Sequence, residues 1–300
     1  MRNTRKRHVA LRSAIVLTTV VMAGYSANAG DLPDSPDGTC RAVMQSLADR
    51  HPEVLWQALP ASYQRDITDL TQALAGKMDP EIWQTAFRLG NKAVGILRDK
   101  KQYILESSMM SASGDRRAQV ESNWDTMVVA LDSLFTSEIS DLDTLARIDW
   151  ERYLRTTGAE IMNHAQEISA AADGEEVDEH VIAKLRQTTV DLLSRDGSQA
   201  TVRVSTPGEE PEDVSLTLVE GRWVPTDMAR DWDAQIADAQ QNIASLSEEE
   251  MAENKMQVMM FFGLADAVLD QLAAVNSTEE FEQAIRDISV SVPGISAGVQ

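Results

Sequence analysis

One predicted helix carries three side chains that together could hold a metal ion: Glu160, His164 and Glu167. At 100° per residue these positions lie within about 60° of one another, at the edge of an apolar stripe. Two carboxylates and an imidazole suit a hard or borderline divalent cation. The alternative is a solvated helix edge in an acidic protein. The sequence favours this alternative because no second cluster of ligands is visible.

A second group consists of four methionines in a predicted C-terminal helix: Met251, Met256, Met259 and Met260. Thioethers are soft ligands for Cu(I), and Met256, Met259 and Met260 share one helical face. Large apolar side chains surround them: Phe261, Phe262, Leu264 and Val268. A methionine stripe with such neighbours is more typical of a core or a partner-binding surface, so we expect that role rather than copper binding.

The third group lies on the polar face of a predicted sheet and comprises Thr201, Arg203, Ser215, Thr217 and Arg222. Two arginines on an otherwise acidic protein could bind a carboxylate or a phosphate. The alternative is a solvated face, or one whose arginines pair with nearby glutamates. We expect the alternative.

The sequence motifs of several common enzyme classes are missing. No two glycines have the spacing of a G-x-G-x-x-G loop, and Gly76-Lys77 lacks the upstream glycine of a P-loop. No histidine begins an H-E-x-x-H zinc motif. We therefore predict no catalytic residue and no cofactor. A serine–histidine–aspartate arrangement built from distant segments stays open, because geometry rather than spacing defines it.

The overall charge narrows the class of partner. The chain has 300 residues and a formal net charge of −21. Nucleic acid and anionic membrane surfaces attract basic proteins, so the charge argues against both. The single cysteine, Cys40, excludes a disulfide within the chain and a cysteine-based zinc cage. The expected partner is an unidentified protein or small molecule.

The first 29 residues have the three-part pattern of a secretory signal peptide. A basic start is followed by an apolar run over Ala14–Ala23 and by the small-x-small sequence Ala27-Asn28-Ala29, which predicts cleavage after Ala29. Five of the 27 basic residues and no acidic residue lie in this leader, so the mature chain would carry 22 bases against 48 acids, a net charge of −26. We expect a periplasmic or secreted bacterial protein with no integral membrane segment after cleavage.

Hydrophobic periodicity predicts a mostly helical α+β fold, in which a helical bundle packs on a small three-stranded antiparallel sheet. Asp79-Pro80-Glu81 predicts a helix start, and the stripe of Ile182, Leu185, Thr189 and Leu193 predicts a further helix. The period then changes to two, which predicts a meander over 199–226. The predicted organisation is a signal peptide at 1–29, a flexible leader at 30–39, a helical domain with the meander at 40–246, a C-terminal helical pair at 247–292 and a tail at 293–300.

Three segments resemble uncharacterised exported bacterial proteins: Leu59–Gln64, Lys77–Glu81 and Glu220–Pro225. The resemblance covers about residues 40 to 245, and it implies a helical N-terminal part followed by a short hairpin with a G-x-W turn. It implies no activity and no site residue. The same order of elements is similar to small α+β folds of the nuclear-transport-factor-like kind, which implies a more extensive sheet than the predicted three strands.

These observations predict an exported, soluble, acidic protein that acts by binding and not by catalysis. The alternative is a hydrolase or a metal-dependent enzyme whose site is assembled from separated segments. A third possibility is an assembly partner that uses the methionine-rich helix near 251–272 as its docking face.

Overall fold

The computed structural model describes residues 32–108, 114–164, 184–246 and 248–291. Helices dominate this part of the chain and pack against one antiparallel sheet, so the protein is a mostly helical α+β structure as predicted. The helices are α1 (Pro36–Ala48), α2 (Val54–Gln57), α3 (Ala61–Lys77), α4 (Pro80–Asp99), α5 (Lys101–Glu106), α6 (Gly114–Phe135), α7 (Leu142–Leu145), α8 (Trp150–Tyr153), α9 (Thr226–Ala244), α10 (Glu248–Ala274) and α11 (Thr278–Ser291). The strands are β1 (Thr189–Asp196), β2 (Gln199–Ser205), β3 (Glu212–Val219) and β4 (Arg222–Pro225).

The sheet is a meander of four strands in the order β1-β2-β3-β4, one more than the sequence predicts. The additional strand is β1, where we expected a helix, and it pairs antiparallel with β2. The predicted helix is present only at residues 184–187, and from Thr189 the chain is extended. The helical spacing of Thr189 and Leu193 was misleading because Gly197, at φ 55°, makes a hairpin turn after Asp196. A strand partner was therefore available directly along the chain, and the pairing with β2 overrides the helical pattern.

One face of the sheet carries the core that joins it to α1. Val202 is fully buried, and Val190, Leu216 and Trp223 pack with it against Met44 of α1. Helix α1 begins at Pro36, with the Ser35 side chain accepting a hydrogen bond from the Gly38 N–H at 3.1 Å. The predicted flexible leader at 30–39 is therefore wrong for its last four residues, because a proline at the first helical position and a serine cap start the helix there.

Helix α4 is the central element of the helical layer. Asp79 caps it, accepting hydrogen bonds from the N–H groups of Glu81 and Ile82, which confirms the predicted helix start. Val94 of α4 packs with Trp124 and Val128 of α6. Helix α10 packs along another side of α4, and α11 packs on α5. These last two helices correspond to the predicted C-terminal pair.

Candidate functional site

The predicted metal ligands lie near the end of a described segment. Helix α8 continues as a π-helical turn over Leu154–Gly158, and an α-helical turn then covers residues 159–164. Glu160 is exposed and His164 is half-buried, whereas Glu167 lies outside the described residues. Among the residues that the structure describes, no three metal-ligating side chains converge. The site formed by Glu160, His164 and Glu167 therefore stays a prediction.

The polar face of the sheet is internally paired. Arg203 lies directly opposite Asp213 in the β2–β3 register and binds both carboxylate oxygens, at 2.7 and 2.8 Å. These hydrogen bonds lower the pKa of the Asp213 carboxyl group. The hydroxyl of Thr217 lies 3.0 Å from that of Thr226. Arg203 therefore pairs with a carboxylate, which fits the alternative that the arginines of this face bind nearby acidic residues. The acidic residue is an aspartate and not the expected glutamate.

A buried carboxylate that the sequence analysis did not single out lies between separated segments. The Glu53 side chain is only 7% exposed; its Oε1 lies 3.2 Å from His51 Nδ1 and 3.7 Å from Arg155 Nε. Its Oε2 is buried without a hydrogen-bond partner in the described structure. A carboxylate in contact with an imidazole, as Glu53 is with His51, could orient that imidazole as a general base. Within the described residues, no hydroxyl or thiol is placed in hydrogen-bond contact with His51, so the pair stands there without an adjacent nucleophile.

One sequence motif also bears on a hydrolytic function. Gly294-Ile295-Ser296-Ala297-Gly298 has the G-x-S-x-G spacing of a nucleophile elbow. The motif lies outside the described residues. The element that precedes it is a helix, α11, whereas a nucleophile elbow follows a strand.

A shallow groove lies between the C-terminal ends of α3 and α9, with a cavity volume of about 310 Å³. Apolar residues, among them Ala73, Ile243 and Ala244, line it together with Lys77 and Gln240. Ligand sites combine an enclosed apolar cavity with several convergent polar groups. This groove provides one cation and one amide, so it is a weak candidate for a small-molecule site.

The inner side of α10 is fastened to α4 by ion pairs. Lys255 lies 2.9 Å from Asp79 and 2.8 Å from Glu81. The Lys92 ammonium contacts Asp266 and lies 2.8 Å from Asp270. A further pair joins Arg88 to Asp266, with 3.0 Å between nitrogen and oxygen. These contacts fix which side of α10 faces the protein.

The opposite side of α10 is apolar and exposed. Met256 is 81% exposed, Met260 72%, Phe261 63% and Leu264 45%. We call this surface the outer face of α10. Gln257, Gly263, Ala267 and Gln271 are exposed along it as well, and Asp270, whose side chain is 72% exposed, lies at its edge. Met259 is half-buried, and the side chain of Met251 lies outside the described part of the structure. The methionines are therefore divided between two environments, which does not favour a three-sulfur copper site.

The stretch Asn254–Ala274 is the one helix in the described ranges with the length and apolar composition of a membrane-crossing segment. Its inner side nevertheless holds the ion pairs made by Lys255, Asp266 and Asp270. An aspartate near the centre of a spanning helix costs about 3 kcal/mol, and Asp266 occupies that position. The geometry therefore favours a surface helix that docks through one side.

Comparison of the chain with protein-family models, with curated proteins and with solved structures finds no match.

Proposed function

We propose that this chain is an exported, non-enzymatic interaction protein that binds the apolar helical surface of a protein partner through the outer face of α10. The observation that carries the proposal is the exposure of four large apolar side chains along one side of the helix: Met256, Met260, Phe261 and Leu264. Contiguous apolar patches of this kind mark interaction sites on soluble proteins.

The residue types also suit this role. Methionine side chains are flexible and polarisable, so they adapt to an opposing apolar surface better than branched residues do. Complete burial of each large apolar side chain stabilises a complex by about 1.5–3 kcal/mol before the cost of association. Three side chains more than 60% exposed on one face can therefore supply a specific contact.

A protein surface suits this face better than a lipid surface does. Helices that lie on membranes carry lysine and arginine on their polar side, which attract anionic headgroups. The polar side of α10 carries Asp266 and Asp270 with one lysine, Lys255, and the helix begins with Glu248, Glu249 and Glu250. The predicted mature charge would add long-range repulsion from anionic lipid.

Photo-crosslinking in producing cells tests the proposal. A photoreactive phenylalanine analogue at Met260 should crosslink to a protein, and mass spectrometry should place the adduct on an apolar helix of that partner. Asp238 of α9 is also exposed and serves as the matched control position, where little adduct is expected. Equal yields at both positions, or adducts formed with lipid alone, would contradict the proposal.

The same samples test export. If the signal peptide is cleaved, the N-terminal residue of the recovered protein should be Gly30.

A further inference from the structure

The outer face of α10 is bordered by acidic residues and by no basic one. Helix α10 contains six acidic residues and one basic residue, Lys255. Over residues 254–274 none of the exposed positions is basic, and Asp270, with 72% of its side chain exposed, is the one charged residue among them. Within this range, the large apolar side chains of the outer face therefore have only a negative charge and neutral side chains beside them.

The cations that lie against the inner side of α10 are engaged by carboxylates of the chain itself. Lys255 contacts two carboxylates of the α4 start, at 2.9 and 2.8 Å. The Lys92 ammonium contacts two carboxylates of α10, those of Asp266 and Asp270. Each lysine thus has two anionic partners, so the charge that α10 offers to an approaching protein is negative.

The acidic start of α10 continues the line of its apolar side chains. At 100° per residue, positions 249, 253, 256 and 260 lie within about 60° of one another. Glu249 and Glu253 therefore precede Met256 and Met260 along one stripe of the helix. From Glu249 to Asp270 the helix axis measures roughly 32 Å, so acidic positions stand at both ends of the apolar patch.

From this pattern we infer that the partner presents a cationic amphipathic helix, whose apolar stripe packs on the outer face of α10 while its lysines and arginines contact the acidic positions at both ends. The inference rests on the proposed function and names the chemistry of the partner. An amphipathic helix carries one apolar side flanked by polar positions. With basic residues at those positions, it complements an apolar patch that lies between carboxylates.

Other occupants match only one part of this surface. A second copy of the chain would bring the acidic positions of two α10 helices together, and like charges across an interface repel. A basic segment with no apolar side would pair with the carboxylates and leave the large apolar side chains in water. A helix with an apolar stripe and acidic flanks would bury those side chains but add repulsion at both ends.

Charge complementarity gives the contact a salt dependence of known sign. Attraction between exposed opposite charges weakens as the Debye length falls, from about 10 Å at 0.1 M salt to about 3 Å at 1 M. Burial of apolar side chains is not screened in this way. We therefore expect salt to weaken the complex without abolishing it.

Binding of designed peptides to the protein purified from producing cells tests the inference. One fluorescein-labelled helix of eighteen residues has a leucine stripe and lysine at its polar positions. A second has the same stripe with glutamate, and a third is the lysine peptide scrambled so that it has no stripe. Fluorescence anisotropy should show the lysine helix binding at least tenfold more tightly than either other peptide, and severalfold more weakly in 500 mM NaCl than in 50 mM. Equal affinity for the lysine helix and either other peptide would overturn the inference.

A charge-removing variant tests the acidic end of the surface. Glu249→Gln with Glu253→Gln should weaken binding of the lysine helix at least fivefold and reduce its salt dependence. Asp233→Asn with Asp238→Asn removes the same charge from exposed positions of α9 and is the matched control. Circular dichroism checks that both variants stay folded. Equal weakening by the two double variants would show that net charge alone attracts the peptide, and would reject the assigned site.

An apolar variant tests the patch itself. Met260→Ser should weaken binding of the lysine helix at least fivefold, because it removes a 72% exposed side chain from the outer face. Val129→Ser, at a 44% exposed position of α6, is the control and should leave the affinity unchanged. Unchanged affinity in Met260→Ser would reject the outer face as the site.

The results also separate this inference from the function on which it rests. If the lysine helix binds no better than the scrambled peptide while Met260 still crosslinks to a protein in cells, the partner is not a cationic helix and the interaction function stands. If Met260 forms no protein adduct in cells, the proposed function fails and the inference fails with it.

Discussion

The carboxylate of Asp79 caps α4 and at the same time accepts a hydrogen bond from Lys255 of α10 at 2.9 Å. One side chain therefore starts the central helix and holds the helix that carries the outer face. We expect Asp79→Ala to lower the free energy of unfolding by about 1 kcal/mol through loss of the cap. Asp79→Ser is the control, since serine keeps the cap and loses the ion pair. Urea denaturation measures both, and equal losses in the two variants would show that the cap contributes nothing.

The same contacts predict how acid affects the α4–α10 pair. The hydrogen bond from Lys255 lowers the pKa of Asp79 below its ordinary value of 3.8, and the hydrogen bond from Lys92 lowers that of Asp266 in the same way. A lowered pKa in the folded state gives stability that is present above the ordinary value and lost as the pH falls through the folded value. We expect amide protons of α10 to exchange faster, relative to those of β2, below about pH 4. If the amide protons of β2 lose their protection from exchange together with those of α10, acid does not weaken the α4–α10 contact locally.

Gly90 and Gly95 of α4 should respond in opposite directions to alanine. A Cβ at position 90 would overlap the ring of Phe135, whereas a Cβ at position 95 meets nothing within 4 Å. Gly90→Ala should therefore destabilise the protein by about 1–3 kcal/mol through overpacking against α6. Gly95→Ala should stabilise it by about 0.5–1 kcal/mol through helix propensity. Thermal and urea unfolding of both variants provide the measurement, and two changes of the same sign would contradict the packing of α4 on α6.

A stacked aromatic pair joins α3 to α9. The rings of Tyr63 and Trp232 are 3.9 Å apart at an angle of 7°, and the Trp232 indole donates to Asp66 at 2.8 Å. Trp232→Ala should lower the free energy of unfolding by about 3 kcal/mol, because it removes a buried ring. Trp232→Phe keeps an aromatic ring for the stack but loses the hydrogen bond and part of the indole volume, so an intermediate loss of about 1–2 kcal/mol is expected. If Trp232→Phe lowers the free energy of unfolding as much as Trp232→Ala does, the hydrogen bond and not the aromatic stack joins the two helices.

Cys40 should be unreactive in the folded protein. Burial, reinforced by the negative charge of Asp37, raises the pKa of its thiol to about 11. The reactive thiolate is therefore scarce at pH 8, and we expect Ellman's reagent to label native protein at least tenfold more slowly than protein unfolded in urea. Asp69→Cys in a Cys40→Ala background places a thiol at an exposed position of α3 and should react rapidly. Cys40 is half-buried, and fast labelling of the native protein would contradict the raised pKa of its thiol.

The elements that the sequence predicted correctly are those whose signals are local. The cap of α4 is one example, since Asp79, Pro80 and Glu81 act within one turn. Strands β2 to β4 are another, because alternation and the Glu220-Gly221 turn define them over a few residues. Strand β1 was missed because its apolar residues also fit a helical spacing, and only pairing with β2 decided between the two.

For the candidate surface, the sequence alone determined that a helix rich in methionine lies near residues 251–272. It did not determine which side would remain exposed, because apolar residues surround most of the helix. The tertiary structure decided this through charge: Arg88 and Lys92 of α4 meet Asp266, while Asp79 and Glu81 meet Lys255. Apolar contact can form on any side of such a helix, whereas ion pairs require particular atoms to meet. That directional requirement turned Met256, Met260 and Phe261 towards solvent.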